Sequence, residues 1–180
     1  MNRRTTARLL AVPTAVVLTL TACGEESSDG GAAEGTSQAC EDRPETADAP
    51  EEVSTDLAEK PGVPATDEAP PCGLQISDVV VGEGPEAVEG TTVALKYVGA
   101  FYETGEEFDS SWSRGADETL PVTVGAGQVI PGFEQAIEGM QVGGRRMVTI
   151  PSDLGYGPTG QGPIPGDATL VFVIDLVEAV

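Results

Sequence analysis

From Gly73 onward, apolar and polar positions alternate in short runs broken by glycine and proline. Leu74, Ile76, Val79 and Val81 predict an opening strand that stops at the Gly-Glu-Gly-Pro of residues 82–85. Residues 91–102 predict a long strand with Val93, Leu95, Tyr97, Gly99 and Phe101 on one face. Residues 103–106 read as a turn, 107–110 as extended chain resumed, and Leu120, Val122 and Val124 as a further strand. One helix is predicted. Pro131-Gly132 opens it, Gly139 or Gly143 closes it, and Phe133, Ala136, Ile137 and Met140 share one side. A helix this short needs a sheet to pack on. Residues 145–150 and 169–178 predict two more strands. In the last, Leu170, Phe172, Ile174 and Leu176 alternate with Val171, Val173 and Val177, so both faces are apolar and the strand is central. The expectation for residues 73–180 is an α+β domain, mostly antiparallel strands around one short α-helix.

The chain before Gly73 has a different texture. Arg3, Arg4 and Arg8 precede an apolar run from Leu9 to Leu20, interrupted by Pro13, Thr14 and Thr19. A bilayer span takes about 20 residues, so residues 1–22 read as an export signal. Leu20-Thr21-Ala22-Cys23-Gly24 resembles the lipobox of bacterial lipoproteins. That resemblance implies a lipidated Cys23 and an exported protein anchored on the extracytoplasmic face of the cell membrane. Two or three acyl chains would hold it there. Residues 23–72 read as a disordered acidic linker, without an aromatic and with few large aliphatics. As a flexible coil it would set the domain roughly 40 Å from the membrane. Val53, Leu57 and Val63 are its candidates for docking on the domain. Cys40 and Cys72 are either free thiols or, outside the cytoplasm, a disulfide; the disulfide is the expectation.

Composition narrows the chemistry. Net charge is −21, shared evenly, with −12 on residues 24–72 and −12 on 73–180. A surface this acidic repels phosphates, so nucleic acid is excluded as a partner. The chain has no histidine, which removes Ser-His-Asp and Cys-His hydrolase schemes. No metal-ligand spacing is present, and no metal or cofactor is expected. All eight aromatic residues lie between Tyr97 and Phe172, so a ring-lined site belongs in the C-terminal part. Residues 151–167 form a long loop with five glycines, four prolines, Tyr156 and Ile164, and loops of that length often carry function.

Six segments in order carry a family resemblance. They are Tyr97-Val98-Gly99; Gly105-Glu106-Glu107-Phe108-Asp109-Ser110-Ser111; Gly127-Gln128-Val129-Ile130-Pro131-Gly132-Phe133; Val142-Gly143-Gly144; Tyr156-Gly157; and Ile164-Pro165 followed by residues 168–172. Together they resemble the FKBP-type peptidyl-prolyl cis–trans isomerases over residues 74–180. The resemblance implies a curved antiparallel β-sheet of about five strands wrapped around one short α-helix. It implies a proline pocket lined by Tyr97, Phe108, Asp109, Val129, Ile130, Phe133, Tyr156, Ile164 and Phe172. Asp109, Tyr156, Phe108 and Phe172 are the implied catalytic residues. Phe133 stands where the family often has tryptophan, which makes the pocket floor roomier. Arg114 matches an arginine that holds the pocket aspartate and tyrosine. Two residues are inserted between Arg114 and Leu120, and the Gln161-Gly162-Pro163 stretch is one residue short.

The implied activity needs no proton transfer, in keeping with a chain without histidine. Peptide-bond rotation costs roughly 18–20 kcal/mol because amide resonance is lost. X-Pro bonds isomerise unaided in tens to hundreds of seconds. A dry apolar cleft favours the twisted amide over the planar one. Tyr156 is the implied donor to a substrate carbonyl. For Asp109, contact with the rotated carbonyl and orientation of its neighbours both remain open. The implied partners are proline-containing polypeptide clients and macrolide immunophilin ligands, on a monomer. A non-catalytic chaperone or adaptor that grips proline-containing segments is the alternative function.

Overall fold

Strand β6, Leu170–Ala179, runs through the middle of a six-stranded antiparallel sheet. The other strands are β1 (Gln75–Val80), β2 (Thr92–Phe101), β3 (Glu107–Ser110), β4 (Leu120–Thr123) and β5 (Arg145–Ile150). They are laid out in a computed structural model that describes residues 40–180. The sheet order is β1-β5-β6-β2-β3, with β4 also on β2. Six strands form rather than about five because β3 and β4 divide one edge of β2. Thr92–Leu95 pair with β4 and Val98–Ala100 with β3.

The alternation read from the sequence decides what each face meets. Val93, Leu95 and Tyr97 of β2 join Phe172, Ile174 and Leu176 of β6 and Val148 and Ile150 of β5 in the core. Helix α1, Pro131–Ile137, closes that face with Phe133, Ala136 and Ile137 buried. Proline at its start suits the first turn, where a backbone N–H has no partner in any case. The opposite face is apolar as well: Val98, Ala100, Val171 and Val173 are each no more than 4% exposed. A face that dry needs a cover, and residues 40–71 supply it.

Residues 40–71 therefore differ from the disordered linker expected from composition. Glu45 and Ala47 hydrogen-bond to Ile76 on the free edge of β1. Val53 is 2% exposed, whereas Leu57 and Val63 are half-buried. Arg145, fully buried, donates to the carbonyls of Ser54, Asp56 and Glu59. Lys60 pairs with Glu107 on β3, and the Thr66 N–H donates to the Glu103 carbonyl. Cys40 and Cys72 are joined by a disulfide that clasps the two ends of this belt. The physical reason for the difference is that the belt docks largely through main-chain carbonyls and a few charges. Side-chain hydropathy does not register such docking. The export signal, Cys23 and the first part of the linker lie outside the described residues.

Candidate functional site

Where β2, β3 and β6 face α1, a cavity of about 390 Å³ opens. Phe133 and Phe172 are the most buried of the rings that line it, with ring centroids 5.2 Å apart and planes at 88°. Phe108 meets Phe172 edge-on at 5.6 Å, and Tyr97 meets Phe133 edge-on at 6.1 Å. Edge-to-face contacts satisfy the ring quadrupoles while leaving a ring face free for a guest. Gly99 makes the arrangement possible. A Cβ there would lie 2.7 Å from Phe172 and 2.8 Å from Phe108, so only glycine lets both rings lie against β2.

One wall is polar. The Tyr97 hydroxyl donates to Asp109 Oδ2 at 2.5 Å, and Arg114 donates to Asp109 Oδ1 at 3.1 Å and to the Tyr97 oxygen at 3.0 Å. The Ser110 N–H completes the aspartate's partners at 2.8 Å. Local chain geometry builds this wall. Ser110 and Ser111, both fully buried, bind the Tyr97 main chain: the Tyr97 N–H donates to Ser111 Oγ at 3.0 Å and Ser110 Oγ donates to the Tyr97 carbonyl at 3.2 Å. The strand bearing the tyrosine and the strand bearing the aspartate are thus sewn together. Burial, and secondarily donation to Asp109, raises the Tyr97 phenol above its ordinary value, against the opposing pull of Arg114. Burial and the nearby Asp109 charge raise Tyr156 as well. Both hydroxyls stay protonated as donors. Arg114 is held above its already high value, first by its bond to Tyr97.

Of the residues anticipated for the pocket, Tyr97, Phe108, Asp109, Val129, Ile130, Phe133, Tyr156 and Phe172 line this one cavity. Arg114 stands behind the wall and reaches it through Asp109 and Tyr97. Ile164 is not among the residues that line this cavity; it is 7% exposed and packs in the core cluster that also holds Tyr97, Phe133 and Phe172. The loop turns back at Gly162-Pro163, where Gln161 and Ile164 exchange two main-chain hydrogen bonds of 2.9 Å. That fold-back puts Gln161 on the cavity wall instead. Leu120 and Gln128 also line the cavity and were not anticipated. Gln128 Oε1 accepts the Thr123 N–H at 2.7 Å, which pins its amide so that the NH₂ remains free to donate.

A fold of this order, with rings around one cleft and a carboxylate held by tyrosine and arginine, matches a known class. The family model of the FKBP-type peptidyl-prolyl cis-trans isomerases matches residues 84–177, and the chain belongs to that family. An FK506-binding protein of Streptomyces anulatus is 50% identical over 122 residues, covering 66% of this chain and 96% of the relative. A probable FK506-binding protein of Corynebacterium glutamicum is 48% identical over 121 residues, 67% of this chain and 99% of its own length. The crystal structure of AtFKBP13 aligns at a TM-score of 0.56 and 38% identity, over 61% of this chain and 95% of that one.

Proposed function

We propose that this chain is a membrane-tethered peptidyl-prolyl isomerase that speeds X-Pro isomerisation while exported proteins fold. The observation that carries the reading is the cavity's division into a ring-lined floor and one polar wall. The prolyl ring of a client enters between Phe108, Phe133 and Phe172. Its amide then lies beside Tyr97 and Asp109 at the mouth, with the Tyr156 hydroxyl as donor to a carbonyl of the client. Among the described residues that hydroxyl has no hydrogen-bond acceptor of its own, so donating to a client breaks nothing. The twisted amide has lost its resonance dipole and favours a cavity from which water is excluded, while the planar form favours water. Lowering the barrier by about 7–8 kcal/mol would raise the rate five to six decades.

Membership of the family and the naming of its relatives support binding of FK506-type macrolides in the same cavity. The positive start, the short apolar run and the Leu-Thr-Ala-Cys-Gly sequence at Cys23 support the lipid anchor. Two experiments test the proposal. A protease-coupled assay on a short X-Pro peptide should show catalysis at micromolar protein; a folded sample with no rate above background overturns the isomerase reading. Fractionation of cells producing the full chain should place it with membranes, and Cys23→Ser should release it. Equal partition of the two forms overturns the anchor.

A further inference from the structure

Phe108 and Asp109 ride on the least secured strand of the sheet. β3 is an edge strand, paired with β2 at only three positions, with a register shift between Gly99 and Ala100. A bulge at an edge re-aims the side chain beside it, so the direction of Phe108 depends on what holds that edge in place. The belt touches this stretch repeatedly. Lys60 Nζ lies 2.7 and 3.0 Å from the two carboxylate oxygens of Glu107, the residue before Phe108. The Thr66 N–H donates to the Glu103 carbonyl at 3.3 Å. The Val63 carbonyl sits against Gly105, 2.5 Å from where a Cβ would be, so belt and turn are in main-chain contact there. The belt is itself fixed, clasped by Cys40–Cys72 and gripped by Arg145 on three of its carbonyls.

We propose that residues 60–66 of the belt position the proline cavity, with Lys60 a positioning residue acting through Glu107 on Phe108 and Asp109. The inference rests on reading the cavity as a proline site. It assigns to a segment outside the family match a part in setting that site's geometry. The pair is partly exposed, at 42% and 33% of the two side chains, so its effect is one of aim rather than of folding.

The test uses the full chain with its disulfide intact, as Lys60→Glu, Lys60→Arg, and Lys60→Glu combined with Glu107→Lys. Lys60→Glu sets like charges against each other at Glu107. It should raise KM for an X-Pro peptide and Kd for FK506 about two- to fivefold, with kcat unchanged. The amide resonances of Phe108 and Asp109 should shift with it. Lys60→Arg should behave as the parent, and the charge swap should restore all three readouts. A purely structural role predicts a lower melting temperature with KM, Kd and both resonances unchanged well below it, and that result overturns the proposal. Failure of the swap to restore them overturns it too. A parent chain without turnover counts against the isomerase reading alone, and the Phe108 and Asp109 resonances then decide the positioning role.

Discussion

Arg145 and Asp175 meet in a two-bond fork on the sheet face turned away from the cavity, Nε to Oδ1 at 2.5 Å and Nη2 to Oδ2 at 2.7 Å. The three remaining N–H groups of the guanidinium are spent on belt carbonyls at 2.6, 3.1 and 3.0 Å. All five donors are therefore satisfied in a side chain with no exposure, which is the condition for tolerating a buried charge. Arg145→Met should strand the Asp175 carboxylate, and urea unfolding of the oxidised chain should register a loss of about 3–5 kcal/mol. Arg145→Met combined with Asp175→Leu should recover part of that loss, because no orphan charge remains. A single variant as stable as the parent would show that the belt does not seal this pair from water.

The polar wall should be separable from the floor by substitution. Asp109→Leu removes the acceptor shared by Tyr97 and Arg114 while leaving the rings in place. Hydrogen bonds involving a charged partner are worth about 1.5–3 kcal/mol, so kcat/KM should fall roughly ten- to hundredfold. Tyr156→Phe removes one neutral donor worth about 0.5–1.5 kcal/mol, and the loss should be correspondingly smaller, about two- to tenfold. Both are read in the protease-coupled assay beside a melting curve. Equal losses for the two would argue against a distinct role for the aspartate.

Activity should be flat across the neutral range. The chain has no histidine, and the two tyrosines of the site are pushed upward from 10.0 by burial. A phenol raised in the folded state favours its protonated form there. Its contribution is complete below the unfolded value of 10.0 and is lost as pH climbs through the higher folded value. kcat/KM should hold steady from about pH 6 to 9 and fall only above about 10, with the urea midpoint falling in the same window. A midpoint near neutrality would mean that an unassigned group controls the reaction.

The sheet was legible in the sequence because its strands carry either alternating or two-sided apolar patterns between glycine- and proline-rich breaks. The two-sided apolar pattern of residues 170–177 announced the central strand β6, and the spacing of Phe133, Ala136 and Ile137 announced the helix face. The cavity rings were legible through short motifs, since glycine before a ring-bearing strand and Phe-Asp-Ser-Ser are distinctive in order. The belt was hidden because its strongest grip is an arginine from β5 on carbonyls of Ser54, Asp56 and Glu59, and carbonyls are the same in every sequence. Val53, Leu57 and Val63 gave the side-chain hint, and of the three only Val53 is fully buried. Gln161 was hidden for a different reason: which of Gln161 and Ile164 faces the cavity depends on where a shortened loop doubles back. Hydrophobicity favours the isoleucine for either place. Leu120 and Gln128 carry no mark that separates them from ordinary strand and loop residues.

Gly99 offers the sharpest test of the cavity itself. It lies within β2, facing the rings, with Val98 and Ala100 turned to the belt side. In Gly99→Ala the added methyl would meet Phe172 at 2.7 Å and Phe108 at 2.8 Å, too close for either ring to remain where it is. Strand geometry accepts alanine, so the cost falls on packing, about 1–3 kcal/mol of stability. Both rings line the cavity, so their displacement changes its shape. FK506 binding and X-Pro turnover should therefore drop at least tenfold in a chain that still folds, as checked by titration and by its melting curve. If Gly99→Ala binds and turns over like the parent, the two rings do not form the floor on which a prolyl group rests.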